Sequence, residues 1–582
     1  MSISDKLRVI EELVKLPQYA VVGLTHGRLV YTSMDEGIRN LWVLDVESGD
    51  RSRITDDGFH GVADVKPNSP LIIYTKDVSG GRELQQVFSA NILNGLKRVI
   101  VDFEPRRIFG MSFDGERIAF SCAGKDSIEI YVAKPIGEYE KICDVNAFAV
   151  VSSIYGNIIA GFGSFEDPKV YEVFIYDLNS GEFKIYTPRK GASCKPPKVY
   201  NGRILFSTNA FDGEKLVIYD LEAGQIRGVE LPYDDYKNYV FSDYVNYGWT
   251  DDGRIWFIGE LNGRTRLFID GREVKLPSGY VEYAYVDGNR VYVTWSSMKQ
   301  PRRILEVNIE NGEHKCILGA SIPEFIARRF GDVRFVKYES FDGLRIPMFI
   351  FESKAAPKPG PAVVYVHGGP WAEVADRWNM MIASLVASGY HVFAPNFRGS
   401  TGYGEEFRRL DIGDPGGGDL IDVVYARDFA AKLDIVDSSK IAIMGYSYGG
   451  FMTFLATVKF PDKWRCGVAG AGITDWRELY DLSDAVFKRV INVLFANNRD
   501  LWSDRSAINF VENLKVPICI LHPQNDSRTP LKPILKYCMK LLELGKTFEL
   551  HVVPDMGHMI ARIEDALKIL LPATIFLDKY MK

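Results

Sequence analysis

Between residues 20 and 320, short apolar runs alternate with polar turns, a pattern that predicts β-strands. LWVLDV (41–46), VFIYDL (173–178) and KLVIYDL (215–221) are three such runs. Each is followed by a polar turn that contains a glycine and then by a charged strand. This unit recurs every 41 to 47 residues, with these turn glycines: Gly49, Gly95, Gly137, Gly181, Gly224, Gly271 and Gly312.

A period in the forties with several strands in each unit is typical of a β-propeller, and seven units predict seven blades. Unrelated β-hairpins are the alternative, because a strand, a turn with glycine and a second strand form a common motif. The near-constant spacing of seven copies argues against that alternative.

The pattern changes after about residue 325. Continuous apolar strands now alternate with helical stretches such as RWNMMIASLVASG (377–389), which predicts a parallel sheet covered on both faces. The predicted strands are PAVVYVHGG (361–369), HVFAPNFRG (391–399), KIAIMG (440–445), KWRCGVAGAG (463–472), VPICILH (516–522) and FELHVVP (548–554).

At 582 residues the chain is too long for one hydrophobic core, since cores stop growing near roughly 250–300 residues. We therefore predict a seven-bladed, all-β propeller over residues 20–325 and an α/β domain over residues 326–582. Residues 1–19 contain apolar positions at helical spacing, and we expect this helix to pack on the C-terminal domain.

Composition excludes several classes of function. The net charge of −6 is modest and mixed in sign, which argues against a nucleic-acid partner. Seven cysteines without a C-x-x-C pair predict reduced thiols and no zinc site, so we expect no metal. No signal peptide and no run of about 18 apolar residues is present, so a soluble, cytoplasmic protein without membrane contact is expected. Only six glutamines hint at a thermophilic source.

The sequence Gly445-Tyr446-Ser447-Tyr448-Gly449 fits G-x-S-x-G. It lies between the predicted strand KIAIM and the apolar helical stretch GFMTFLATVKF, as a nucleophile elbow requires. The alternative is a glycine-rich turn in which the serine only caps the helix. Since a serine hydroxyl needs a base to become a nucleophile, a histidine is required nearby.

Three histidines follow Ser447, and in an α/β-hydrolase the order along the chain is Ser, then Asp or Glu, then His. His558 lies in a loop just past the last predicted strand, from which it can reach the elbow, and we predict that it is the base. His551 falls inside a strand, where a structural role is expected. His522 ends its strand and is a candidate for lining the site.

Asp526 lies in the loop after the strand VPICILH, 32 residues before His558, and is the predicted carboxylate that orients the imidazole. Asp555 is the rival, although an aspartate so close to His558 usually forms local turn hydrogen bonds.

The negative charge of a tetrahedral intermediate needs two hydrogen-bond donors, the oxyanion hole. One is expected from the backbone N–H of Tyr448, directly after the nucleophile. The other is expected from the turn His367-Gly368-Gly369-Pro370, where we favour Gly369 because a missing side chain allows close backbone approach to substrate. Gly368 is the alternative donor, and a turn without a catalytic part is the other reading.

With these residues identified, the chain resembles the prolyl oligopeptidase family of serine peptidases, and within it the archaeal acylaminoacyl peptidases. The matching stretches cover nearly the whole C-terminal domain: HGGPW (367–371), NFRGSTGYGEEF (396–407), GDPGGGDLIDVV (413–424), GYSYGG (445–450) and HPQNDSRTPLKP (522–533).

The resemblance implies a Ser447, Asp526 and His558 triad in an α/β-hydrolase domain, no cofactor, and a propeller that caps the active site. It implies release of N-acylated amino acids from short peptides, with acyl esters as further substrates, and it allows a homodimer. Arg528 occupies the position of a substrate-contacting arginine, or else it is a salt-bridged loop residue. No Glu-Glu pair occurs between residues 20 and 325, which counts against a dipeptidyl aminopeptidase.

Three alternatives stay open at this point. A carboxylesterase or a prolyl oligopeptidase-type endopeptidase of broader specificity would use the same triad, and the latter would need an aromatic shelf for proline, for which Trp476 is a candidate against plain packing. A propeller interaction module on an inactive hydrolase fold is the third, and the intact order of Ser, Asp and His argues against it.

Overall fold

A computed structural model describes residues 1–59, 61–230 and 247–582. Within these ranges the strands form seven four-stranded sheets followed by one eight-stranded sheet. The predicted combination of a seven-bladed propeller with a C-terminal α/β-hydrolase domain is therefore confirmed. None of the described helices combines the length and the apolar character needed to span a bilayer.

Each blade is built from four consecutive strands. The first four blades contain β1 (Tyr19–Thr25), β2 (Arg28–Ser33), β3 (Asn40–Asp45), β4 (Arg51–Arg53), β5 (Ala63–Val65), β6 (Leu71–Asp77), β7 (Gln85–Asn91), β8 (Lys97–Val99), β9 (Ile108–Phe113), β10 (Ile118–Ala123), β11 (Ile128–Ala133), β12 (Tyr139–Val145), β13 (Phe148–Tyr155), β14 (Ile158–Ser164), β15 (Glu172–Asp177) and β16 (Phe183–Tyr186). The last three contain β17 (Lys198–Tyr200), β18 (Arg203–Phe211), β19 (Gly213–Asp220), β20 (Gln225–Gly228), β21 (Tyr247–Trp249), β22 (Ile255–Leu261), β23 (Arg264–Ile269), β24 (Arg272–Val274), β25 (Tyr280–Asp287), β26 (Arg290–Ser297), β27 (Gln300–Asn308) and β28 (His314–Leu318).

The seven turn glycines found in the sequence occupy the same place in every blade, between the third and the fourth strand. Their φ angles lie between 64° and 107°, a region that residues with a Cβ rarely adopt. Blade 1 closes the ring against blade 7 through side chains that include Tyr19, Tyr292 and Ile304.

The eight-stranded sheet and the helices belong to the C-terminal domain, apart from α1. The strands are β29 (Phe330–Glu339), β30 (Arg345–Ser353), β31 (Gly360–Val366), β32 (His391–Pro395), β33 (Val436–Tyr446), β34 (Gly467–Gly470), β35 (Ile518–Pro523) and β36 (Phe548–Val553). The helices are α1 (Ile3–Val14), α2 (Glu324–Ala327), α3 (Met380–Ala387), α4 (Glu405–Arg408), α5 (Gly418–Ala430), α6 (Tyr448–Lys459), α7 (Trp476–Leu482), α8 (Ala485–Leu494), α9 (Leu531–Glu543) and α10 (Ile563–Tyr580).

The strand order is β29-β30-β32-β31-β33-β34-β35-β36, and the last six strands in this order run parallel. The six strands that the sequence pattern predicted are parallel, as expected, and the sheet extends beyond them by β29 and β30, which were not among the predicted strands and pair antiparallel. Only residues 340–344 join these two strands. Such a short connection can form a hairpin, whereas a parallel pair needs a long crossover.

Helix α1 packs on the C-terminal domain, although the propeller separates it from that domain along the chain. Val9 and Leu13 lie fully within an apolar cluster that includes residues of α3 and α10. The ammonium group of Lys6 lies 3.0 Å from the carboxylate of Asp578 and donates a hydrogen bond of 3.0 Å to the hydroxyl of Tyr390. The limits of the three segments, 1–19, 20–325 and 326–582, stay a prediction.

Two glutamates meet in the interface between the domains. Glu260 of β22 and Glu373, from the loop after β31, are both buried, and the hydroxyl of Tyr280 lies 3.0 Å and 3.2 Å from their carboxylates. Burial, and then the adjacent charge of Glu373, raise the pKa of Glu260 well above its usual value. Glu260 therefore favours its protonated form, because two buried negative charges side by side are costly.

We expect Glu260→Gln to stabilise the protein more at pH 8 than at pH 4.5. A carboxyl group whose pKa is raised on folding binds more protons in the folded state, so it costs stability as the pH rises above its unfolded pKa of about 4.3. Thermal midpoints at the two pH values measure the effect, with the exposed Glu324→Gln as the control. An equal change at both pH values would contradict a raised pKa of Glu260.

Candidate active site

Ser447 lies at a sharp turn between β33 and α6, with φ of 59° and ψ of −119°. This backbone conformation is strained for a residue with a side chain, and it lifts the hydroxyl away from the sheet. The turn needs its glycines, since a Cβ on Gly445 would lie 2.7 Å from the Cα of Gly449. A Cβ on Gly449 would in turn lie 2.8 Å from the carbonyl carbon of Val366.

The structure brings the three predicted triad residues together. The Nε2 atom of His558 lies 3.0 Å from the Oγ atom of Ser447, and its Nδ1 atom lies 2.7 Å from the Oδ2 atom of Asp526. These residues follow β33, β35 and β36, whose carboxyl ends meet at one edge of the sheet. The order along the chain and this shared edge explain why residues 447, 526 and 558 converge.

The carboxylate of Asp526 is buried and fully hydrogen-bonded. One of its oxygens accepts from the backbone N–H groups of Arg528 and Thr529 at 2.9 Å and 2.8 Å, and the other also accepts from the Thr529 hydroxyl at 2.9 Å. Burial by itself would raise the pKa of this carboxyl, but the charge and hydrogen bond of His558 lower it to about 2. Asp526 is therefore ionised at neutral pH and can fix the orientation of the imidazole.

Of the two residues predicted to supply oxyanion donors, Tyr448 follows Ser447 directly, and Gly369 lies in the turn after β31. Tyr448 is the first residue of α6, where backbone N–H groups have no partner within the helix. A Cβ on Gly368 would lie 3.3 Å from the Cβ of Ser447, whereas one on Gly369 would point at the backbone nitrogen of Trp371, 2.7 Å away. It is therefore Gly368 whose lack of a side chain leaves space beside Ser447. The N–H of Gly369 belongs to the peptide bond that follows Gly368.

The other candidates from the sequence lie elsewhere. The imidazole of His522 is buried, and its Nε2 atom lies 2.7 Å from the carbonyl oxygen of Thr529. His522 therefore stabilises the loop that contains Asp526. His551 lies on β36, and Asp555 is exposed in the loop that follows. Trp476 is buried against the rings of neighbouring aromatic residues, with centroid distances of 5.0 Å and 5.1 Å, and does not line the cavity beside Ser447.

A propeller loop between β6 and β7 packs directly against the loops of the triad. The backbones of Gly81 and Gly557 touch, since a Cβ on Gly81 would lie 2.6 Å from the nitrogen of Gly557. In the same loop, Gly80 accepts a hydrogen bond of 2.8 Å from the side chain of Asn525. The propeller therefore contacts the residues immediately before His558 and before Asp526.

Arg528 forms an ion pair with Glu83 of that propeller loop, and its Nε and Nη2 atoms lie 2.8 Å and 2.5 Å from the Glu83 carboxylate. Glu83 also pairs with the buried Arg107, which donates hydrogen bonds to Asp484 at 2.6 Å and to Ser527 at 2.8 Å. Burial would raise the pKa of Glu83, but the two arginines lower it to about 2. Sequence reasoning missed Glu83 and Arg107, since each lies in an ordinary propeller loop without a motif.

A cavity of about 590 Å³ opens beside Ser447 and His558 and is bounded by both domains. Arg528 lines this cavity as well as pairing with Glu83. The two roles considered for it from the sequence, a salt-bridged loop residue and a substrate-contacting arginine, are therefore compatible. The apolar wall of the cavity includes Trp378, Met380, Met381, Met559, Ile560 and Leu570. Three charged residues of the propeller also line it: Arg39, Glu282 and Arg302.

Among the described residues, one group of three side chains has the spacing of metal ligands. It consists of Cys519, Glu549 and His551, on the last two strands of the sheet. None of the three lines the cavity beside Ser447, and Glu549 is also paired with Lys579 at 3.2 Å.

Comparison with known proteins assigns both halves of the chain. Residues 376–582 match the model of the prolyl oligopeptidase family, and residues 30–305 match that of the acylamino-acid-releasing enzyme-like N-terminal domain. An uncharacterized peptidase, YuxL of Bacillus subtilis, is 26% identical over 60% of this chain and 56% of its own length. The human acylamino-acid-releasing enzyme is 26% identical over 38% of this chain and 31% of its own. The match thus spans about half or less of these relatives.

The acylaminoacyl peptidase of Pyrococcus horikoshii has the same fold over nearly the whole length. Its structure superposes with a TM-score of 0.72 and 18% sequence identity, covering 98% of this chain and 97% of that one.

We expect Glu83→Gln to destabilise the protein by about 3 kcal/mol at pH 7, because it leaves two partly buried arginines without their shared carboxylate. A carboxyl group whose pKa is lowered on folding stabilises above its unfolded pKa, near 4.3, and loses this contribution as the pH falls towards 2. The difference in thermal midpoint between wild type and variant should therefore shrink between pH 6 and pH 3. The exposed Glu324→Gln is again the control, and a difference that grows on acidification would refute the ion pairs.

Proposed function

Since the chain belongs to the prolyl oligopeptidase family of serine peptidases, we propose that it hydrolyses short peptides and releases N-acylated amino acids, with acyl esters as secondary substrates. The observation that carries this proposal is the hydrogen-bonded chain from Ser447 through His558 to Asp526.

In the proposed reaction, Nε2 of His558 accepts the proton of the Ser447 hydroxyl while Oγ attacks the carbonyl carbon of the substrate. Asp526 holds the Nδ1–H side of the ring and stabilises the imidazolium that forms. The N–H groups of Tyr448 and Gly369 receive the oxyanion of the tetrahedral intermediate. Preorganised donors of this kind are worth on the order of 100-fold or more in rate each.

The intermediate collapses when the imidazolium of His558 returns its proton to the leaving amine, which departs and leaves an ester bond between the acyl group and Ser447. Water then enters, loses a proton to His558 and attacks the ester carbonyl. His558 returns this proton to Oγ of Ser447 as the bond between Oγ and the acyl carbon breaks, and the acylated amino acid leaves.

The residues that line the cavity favour peptides with an acylated amino end over peptides with a free amine. Its volume suits a small ligand, which limits the substrate to short peptides. The described lining includes one carboxylate, Glu282, and it is already paired with Arg302 at 2.6 Å. A free substrate ammonium group would find no unpaired carboxylate among these residues, whereas an acyl group suits the apolar wall. The match of the N-terminal half to acylamino-acid-releasing enzymes agrees with this preference.

We expect Ser447→Ala to fold normally and to lose turnover by roughly 10⁶-fold, since removal of the nucleophile leaves only background catalysis. A fluorophosphonate probe should label the wild-type protein at Ser447 and leave the variant unlabelled. The exposed serine variant Ser48→Ala serves as the control. A folded wild-type protein that resists labelling would favour an interaction module on an inactive hydrolase fold.

We expect N-acetylated di- and tripeptides to be cleaved faster than the same peptides with a free amine. Desolvation of an unpaired ammonium group costs several kcal/mol, so the difference in kcat/KM should reach at least about tenfold. Equal or faster cleavage of the free peptides would exclude acyl specificity. Cleavage of acyl esters alone would indicate a carboxylesterase, and cleavage inside longer peptides would indicate an endopeptidase.

A further inference from the structure

Backbone contacts between the two domains hold Arg39 of the propeller against the segment that follows His558. Its N–H donates a hydrogen bond of 3.0 Å to the carbonyl of Ala561, three residues after His558. The preceding residue, Ile38, forms a β-bridge with Arg562, and the N–H of Ile563 donates to the carbonyl of Gly37 at 2.8 Å. This short strand-like contact fixes the start of the Arg39 side chain at the wall of the active-site cavity.

Within the part of the chain that the structure describes, the guanidinium group of Arg39 has hydrogen-bond donors without a partner. Its Nε donates to the carbonyl of Phe59 at 3.1 Å, and an arginine has four further N–H donors. Among the described side chains, no carboxylate forms an ion pair with it, and the charge acting on it is that of another cation, Arg302. Burial, and then this charge, lower the pKa of Arg39 to about 10, so it is still positively charged at neutral pH.

The other charges of the cavity wall are neutralised by neighbours. Arg302 is paired with Glu282 at 2.6 Å, and Arg528 is paired with Glu83. Among the described residues of the wall, Arg39 is therefore the one uncompensated cation, and its planar guanidinium can bind a carboxylate through two parallel hydrogen bonds.

The position of Arg39 along the cavity indicates which part of a substrate it faces. The imidazole of His558 must give its proton to the leaving group, so the leaving group lies on the His558 side of the scissile bond. Met559 and Ile560 continue the cavity wall from His558 to the residue that holds Arg39. The leaving peptide would run along this wall towards the guanidinium.

We propose that Arg39 binds the free terminal carboxylate of the leaving peptide, so that the enzyme prefers short peptide acids. This rests on the proposed peptidase function for its natural substrate, but the contact itself requires only acyl transfer at Ser447. The enzyme would then recognise both ends of a short peptide: the acylated amino end and the free carboxyl terminus. Arg39 would act in binding and would take no part in the proton transfers.

The test compares N-acetyl dipeptide acids with the corresponding dipeptide amides, in wild type, Arg39→Gln and Arg39→Lys. A charge-assisted contact to a carboxylate is worth about 10- to 100-fold in kcat/KM. Wild type should prefer the acid by that factor, Arg39→Gln should lose the preference, and Arg39→Lys should retain part of it.

A matched ester pair, with 4-hydroxybenzoate or 4-hydroxybenzamide as the leaving group, tests the same contact without peptide hydrolysis. The exposed Arg328→Gln is the control variant, and fluorophosphonate labelling of Ser447 confirms that each variant has a formed site. If the ester pair shows an Arg39-dependent preference while neither dipeptide is cut, the inference holds and the peptidase proposal fails.

Equal rates for acid and amide leaving groups in wild type would overturn the inference and leave the peptidase proposal intact. An acid preference that survives in Arg39→Gln would overturn it as well. N-succinyl and N-acetyl substrates separate the two ends of the substrate. An Arg39-dependent preference for the succinyl group alone would place the carboxylate on the acyl side and refute the assignment to the leaving peptide.

Discussion

The active site depends on a direct backbone contact between the two domains, at which neither residue has a side chain. Gly81 of the propeller lies against Gly557, directly before His558, at a distance that excludes a Cβ on either residue. Since a displacement of the propeller by a fraction of an ångström would press on this peptide, the position of the imidazole depends on both domains. The contact of Gly80 with Asn525 joins the same propeller loop to the Asp526 loop, and the contact of Arg39 with Ala561 joins a second propeller loop to the His558 loop.

The interface between the domains contains two glutamates whose pKa values are shifted in opposite directions. Glu83 is surrounded by arginines that favour its ionised form, whereas Glu260 lies beside another carboxylate that favours its protonated form. Acid weakens the first arrangement and alkali weakens the second, so the closed arrangement of the domains is most stable between the two extremes. Residues of the same interface also bound the cavity beside Ser447.

Features with a local signal could be predicted from the sequence, and features that depend on distant pairing could not. The blades were predictable because each repeats a glycine at a turn that requires positive φ. Ser447, Asp526 and His558 were predictable because each follows a strand in a fixed order. Glu83 and Arg39 have ordinary neighbours in the sequence, and their places depend on how two domains meet. Strands β29 and β30, which form the antiparallel edge of the sheet, were not among the predicted strands.

The attachment of α1 to α10 affects how the chain matures on the ribosome. These helices complete the same domain, but all seven blades are synthesised between them. Domains generally fold in the order in which they emerge, so the propeller can form while α1 still lacks its partner. The apolar face of α1, with Val9 and Leu13, lacks this partner until α10 has been synthesised. The C-terminal domain can therefore complete its fold only after α10 has emerged, when the propeller can already be formed.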